Sequence, residues 1–179
     1  MKNTNLQKKT QSTTPTTCPI CLKTITTSIK VHLSIHPSKV YDWLYIGSYS
    51  NATNKKDLES IHCKTILNCA SECKNLFENE PGYKYLKLNI KDTLDYPIED
   101  HFTDSNAFLS QAQENNETVF VHCQLGKSRS ATIIIAYLIK HMNMSTNEAY
   151  TFLKRARSSI MPNLSFMNKL RSYEQSINS

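Results

Sequence analysis

From about residue 40 onward, apolar side chains come in short runs broken by polar ones, and the spacing inside each run predicts an element. "KVYDWLYIG", residues 39–47, predicts a strand or short hairpin ending at Gly47, and "NKKDLESIH", 54–62, a short helix. "CKTILNCA", 63–70, reads as a buried strand, and "YKYLKLNI", 83–90, as another that stops at Lys91-Asp92. Residues 97–116 open with proline and repeat Ile98, Phe102, Ala107, Phe108 and Ala112 at helical spacing. "TVFVH" is a short apolar strand and "SRSATIIIAYLIKHM" a largely buried helix. "STNEAYTFLKRARSSI" is an amphipathic helix with Ser145 and Glu148 as its capping box. A last helix over 163–177 aligns Leu164, Met167, Leu170 and Tyr173. Short strands alternating with helices, then a helical C-terminal run, predict an α/β fold: a central sheet with helices on it. Ligands in such folds sit beyond the carboxyl ends of the strands, where Asp92 and Cys123 both fall.

A chain of 179 residues can build one substantial core, so a single domain with a tail is expected. Charge marks the boundary. Residues 1–39 hold six lysines and no acid, while the remainder balances 15 basic against 15 acidic side chains, so the net charge of +6 belongs to the tail. Residues 1–37 are therefore read as a basic, polar N-terminal segment and 38–179 as the folded domain. Six dispersed lysines give modest electrostatics, so nucleic acid is not an expected partner. No apolar run approaches the roughly 20 residues that span a bilayer, and the polar opening has neither a signal-peptide apolar stretch nor a glycine after Met1 for myristoylation. The expected compartments are the cytoplasm and the nucleus. Six irregularly spaced cysteines in a domain that can build a core read as reduced thiols.

Within the N-terminal segment, Cys18, Cys21, His32 and His36 resemble a C2H2 zinc finger. Two cysteines at a two-residue gap and two histidines at a three-residue gap are what tetrahedral zinc takes. The central gap is ten residues rather than the usual twelve or so, and the β-branched "TITTSIKV" suits a strand better than a finger helix. The competing reading is an irregular lead-in that packs Ile and Leu onto the domain.

The chemistry concentrates in "HCQLGKSR", residues 122–129. Cys123 follows a strand and precedes a helix, so the connecting loop can wrap backbone N–H groups round an oxyanion with the helix dipole behind them. The same field favours a thiolate, the nucleophilic form of cysteine. Gly126 permits a turn or close approach that a Cβ blocks, Arg129 offers a planar fork for two phosphate oxygens, and Ser130 can donate a hydrogen bond to the sulfur. The "GKS" within the loop is not a Walker loop, because residue 121 is Val where a glycine is required.

His122, Cys123, Arg129 and Ser130 form the His-Cys-x5-Arg-Ser signature of the cysteine-dependent protein tyrosine phosphatases, and the chain over about 38–175 resembles a dual-specificity phosphatase catalytic domain. "LYIGSYSNA", "ILNCASE", "YLKLNIKDT", "AYLIKHMNMSTNEAYTFLKRAR" and "PNLSFMNKL" carry the same likeness. The resemblance implies a mostly parallel sheet of about five strands flanked by helices. It makes Cys123 the nucleophile and Asp92 the general acid, with Asp95 as the rival carboxylate. Phosphate would sit in a cradle of Gln124, Leu125, Gly126, Lys127, Ser128 and Arg129. His122 would set the electrostatics of the cysteine from behind, Ser130 would ease departure of the thiolate, and Asn163 would support the loop. It implies no cofactor and no metal for catalysis, with phosphorylated proteins, protein kinases among them, as substrates and partners. Phosphoinositides and RNA 5′-phosphates are the alternative substrates; Lys127 falls where phosphoinositide phosphatases carry a basic residue, whereas Gln124 and the Ser130-Ala131 continuation look like protein-directed members. Non-catalytic binding of phosphoproteins is the alternative of a different class. A protective disulfide from Cys69 or Cys73 to Cys123 stands against the reading of two ordinary buried thiols.

Overall fold

The computed structural model describes residues 17–18, 23–25 and 35–178. β1 (Ser38–Tyr41) and β2 (Leu44–Ser48) form an antiparallel hairpin with Lys39 opposite Tyr45. A four-residue helix, α1 (Tyr49–Ala52), and α2 (Lys55–Ser60) lead to β3 (Thr65–Asn68). β4 (Lys84–Lys87), a 3-10 helix (Ile98–His101), α3 (Phe102–Glu114) and β5 (Val119–Cys123) follow. The chain ends in α4 (Arg129–Met142), α5 (Thr146–Ala156) and α6 (Leu164–Ile177). The sheet order is β1-β2-β5-β3-β4, with parallel pairing everywhere except at the hairpin. This is the mostly parallel five-stranded sheet that the resemblance implies.

β5 lies in the middle, and every one of its residues is buried because helices cover both faces. Period-two alternation splits its side chains. Val119, Val121 and Cys123 join Leu44, Ile46 and Leu67 in the larger core, packed with Ile133, Ile134 and Leu138 of α4. Phe120 points the other way, onto Ile66, Leu58 and Ala52. α4 is buried along nearly its whole length, which fits its isoleucine run; truncating one such isoleucine to alanine costs about 2–5 kcal/mol. α5 begins at the expected capping box: Glu148 N–H donates to Ser145 Oγ at 3.3 Å, and Ser145 N–H donates to Glu148 Oε2 at 2.9 Å.

Three sequence expectations shift. β4 stops at Lys87 and lies half-buried at the sheet edge instead of running buried to residue 90. Beyond it the chain still follows β3 through Leu88 N–H to Asn68 carbonyl (2.8 Å) and Ser71 N–H to Ile90 carbonyl (3.1 Å), which carries Asp92 to the carboxyl end of the sheet. On α3 the buried face is Phe102, Ser105, Asn106, Leu109 and Ala112, with Ala107 outside. On α6, Phe166 and Leu170 are buried while Leu164 is 71% exposed, because the first helical position projects away from the contact that Phe166 makes. Among the described residues, no helix is long and apolar enough to cross a membrane.

Candidate active site

Cys123 is the last residue of the central strand and Arg129 the first of α4, so residues 124–128 must turn the chain at the carboxyl end of the sheet. The carbonyls of this loop are held from outside. Gln124 carbonyl accepts from Tyr49 N–H at 3.1 Å, and Lys127 carbonyl accepts from Met161 N–H at 2.9 Å. Arg157, 5% exposed, donates from Nε to Gly126 carbonyl at 3.0 Å and from a terminal nitrogen to Leu125 carbonyl at 3.5 Å. Ser128 carbonyl takes Thr132 N–H and Oγ1, both at 2.9 Å. A tight loop with its carbonyls turned out presents its N–H groups inward, and the N-terminus of α4 adds its dipole.

Gly126 makes that turn possible. Its φ is +67°, and a Cβ there would land on the Gly47 carbonyl and lie 3.0 Å from Ser48 N. Cys123 sits at the base, 2% exposed, with Sγ 3.3 Å from Ser130 Oγ.

Arg129 is buried and held on three sides. Its terminal nitrogens each lie 2.7 Å from one oxygen of Glu72, one of them also donates to Ile90 carbonyl at 3.2 Å, and Nε faces Asp92 Oδ2 at 3.6 Å. The hydrogen bond from Arg129 pulls the Glu72 carboxyl down to about 2, against the opposing effect of burial. Asp92 Oδ1 accepts from Ser128 Oγ at 2.8 Å and from Asn163 Nδ2 at 3.0 Å. Asp95 makes none of these contacts; its carboxyl is lowered by a hydrogen bond from Thr93.

Two expected roles take a different form. The Asn163 side chain reaches Asp92 and, through Oδ1, caps α6 at Phe166 N–H (2.9 Å), while its backbone N–H meets the loop at Ser128 Oγ (3.3 Å). It therefore ties the acid loop to the phosphate loop. His122 is sandwiched between Tyr49 and Phe120, ring centroids 6.1 and 5.9 Å away, and burial pushes its imidazole down to about 4. At neutral pH it faces the site as a neutral dipole.

Gln124, Leu125 and Lys127 have exposed side chains and enter the ring by their backbone alone. Cys69 and Cys73 are free thiols; burial holds Cys69 well above the ordinary thiol range and Cys73 at about 11, and Cys73 donates to Gln124 Oε1 at 3.0 Å. Cys21 and His32 lie outside the described residues.

Sequence reasoning missed the side-chain roles of Glu72, Ser128 and Arg157. Glu72 stood inside "ILNCASE" with only that stretch's family likeness as a signal, and Arg157 looked like one more cation on an amphipathic helix.

The family model described as "Dual specificity phosphatase, catalytic domain" matches residues 44–176. Human dual specificity protein phosphatase 6 is 36% identical over 141 residues, which are 79% of this chain and 37% of that protein. The chain thus spans little more than a third of that relative. A human tyrosine phosphatase-like serine/threonine/tyrosine-interacting protein superposes with a TM-score of 0.74 at 26% identity, over 81% of this chain and 99% of that one. The Yvh1 phosphatase domain from Chaetomium thermophilum gives 0.70 at 27%, over 78% and 94%. A match across most of the domain, centred on a loop shaped to hold an oxyanion above a cysteine, shows that this chain belongs to the dual specificity phosphatase catalytic domain family.

Proposed function

We propose that the chain hydrolyses phosphotyrosine and phosphoserine or phosphothreonine on proteins through a phosphocysteine, with residues 38–179 as the catalytic unit and 1–37 appended to it. The observation that carries this is the loop whose carbonyls are all held outward, with Cys123 at its base and a fixed Arg129 beside it. Cys123 sulfur attacks phosphorus as the ester P–O bond breaks, and Asp92 passes its proton to the departing oxygen. Water then attacks the phosphocysteine, gives its proton to the Asp92 carboxylate, and releases inorganic phosphate and the thiolate. Ser130, 3.3 Å from the sulfur, donates to it as it leaves.

The inward N–H groups and Arg129 neutralise the equatorial oxygens in both steps, which is where most of the acceleration arises. Phosphorylated proteins, protein kinases among them, are the substrates in this reading, and cytoplasm and nucleus the compartments.

Substrate class is tested by kcat/KM on phosphotyrosyl and phosphothreonyl peptides beside a water-soluble phosphoinositide. Both peptides should be turned over in preference to the lipid. A preference for the lipid would overturn the protein-directed reading while leaving the chemistry intact.

A further inference from the structure

Away from the phosphate loop, Cys18 and His36 meet in the interior: Cys18 is 0% exposed, His36 is 6% exposed, and Sγ lies 3.6 Å from Nε2. Zinc bonds of about 2.3 Å to sulfur and about 2.0–2.1 Å to nitrogen, opened at a tetrahedral angle, place two such ligand atoms about 3.5 Å apart. The described backbone at Cys18 is tied to residues 23 and 24. Thr17 and Thr24 pair as an antiparallel bridge, and Cys18 N–H donates to Lys23 carbonyl at 2.9 Å.

The far side of the imidazole is also arranged. His36 Nδ1 faces Asp57 Oδ1 at 3.6 Å. Asp57 Oδ2 accepts from Asn51 Nδ2 at 2.8 Å, and the same amide donates to Ile35 carbonyl at 2.6 Å. A histidine with one ring nitrogen toward a thiol and the other toward a fixed carboxylate has the outer partner that metal-bound histidines take, which sets the tautomer and raises ligand basicity. His36 carbonyl in turn accepts from Arg157 at 3.4 Å, the residue that holds Gly126.

We infer that Cys18 and His36 are two ligands of a structural zinc ion that fastens the N-terminal segment to the catalytic unit, with Asp57 as the carboxylate behind His36. Cys21 and His32, which the sequence spacing offers as the further ligands, lie outside the described residues; among the described residues no group of three or more His, Cys, Asp or Glu side chains is gathered for a metal. Such a closed four-ligand site leaves no position for water, so it serves folding and not phosphate hydrolysis.

The test is metal content of the full-length chain, followed by exchange of the metal for cobalt(II). About one zinc per chain is expected, with cobalt giving the near-ultraviolet thiolate charge-transfer band and the strong visible absorption of a tetrahedral site. Cys123→Ser should keep both, excluding the catalytic thiol as a ligand. Asp57→Asn should weaken metal affinity by about 10–100-fold without removing the thiolate band. Cys18→Ser and Cys21→Ser should each weaken the band. Substoichiometric zinc in the wild-type chain, or a cobalt spectrum without a thiolate band, overturns the inference. So does a Cys18→Ser chain whose metal content and cobalt spectrum match the wild type. The wild-type readings decide even if a cysteine variant fails to fold. A plain thiol–imidazole hydrogen bond, which would give the same 3.6 Å separation, binds no metal.

Discussion

Both terminal nitrogens of Arg129 face both carboxylate oxygens of Glu72, 2.7 Å apart in each case, so the fork that would grip phosphate is itself gripped from behind. Ile90 carbonyl takes a further terminal N–H on one edge, so the donors left over lie along the Nε edge, beside Asp92. Glu72 never needs to touch substrate to matter. Replacing it by alanine should raise KM for an aryl phosphate and lower kcat together, by about 10²-fold in kcat/KM, as expected when a positioning contact is lost. Glu72→Gln, which keeps one acceptor, should fall between. Steady-state kinetics of the three proteins check this, and an alanine variant with unchanged constants would show that Arg129 is fixed without Glu72.

The same pair has an acid signature. Glu72 carries a carboxyl held at about 2 in the fold against 4.5 ordinarily, so its contribution to stability is complete above about 4.5 and is lost as pH falls toward 2. Because its side chain is 46% exposed, solvent screening limits that contribution to about 1 kcal/mol. Urea midpoints of wild type and Glu72→Gln should differ at pH 6 and converge near pH 2.

His122 dominates at milder pH. Its folded pKa of about 4 lies below the ordinary 6.5, so between those values the unfolded chain binds a proton that the folded chain refuses. Stability should therefore fall with acidification through that window, by roughly 3 kcal/mol in total. His122→Gln should flatten the profile between pH 6.5 and 4, whatever its effect at pH 7. Parallel slopes for the two proteins would mean that His122 is protonated in the fold.

Gly126→Ala should abolish turnover while the domain still folds. The φ of +67° disfavours any side chain, and the added carbon meets a backbone carbonyl that cannot swing aside without moving β2. Loss of phosphate binding with a near-native circular dichroism spectrum is the expected result. An alanine variant that binds phosphate normally would show that the loop tolerates another path.

Much of the fold was legible in the sequence, because burial on two faces leaves apolar runs such as "TVFVH" and "IIIAYLI", and because Ser145 with Glu148 announces a helix start. The helix α1 was not, since Tyr49–Ala52 is a single turn too short to show a period. The exposed Leu164 and the short β4 show a second limit: apolar identity marks a residue that can be buried, while neighbours in space decide whether it is. At the site, the signature residues were legible because they are contiguous. Glu72 and Arg157 were not, since they act through contacts 57 and 31 residues away along the chain, and nothing local distinguishes them from surface charges.

The central claim is that phosphate is transferred to Cys123. Phosphate release from a small aryl phosphate in excess EDTA, for wild type beside Cys123→Ser and Asp92→Ala across pH 5 to 8, tests it most directly. Activity should survive chelation, vanish with Cys123→Ser, and fall by about 10²–10⁴-fold with Asp92→Ala for a leaving group that needs a proton. Turnover that persists in Cys123→Ser, or wild-type protein that binds phosphate and releases none, would contradict the phosphocysteine mechanism and leave the loop a reader of phosphate instead of its catalyst.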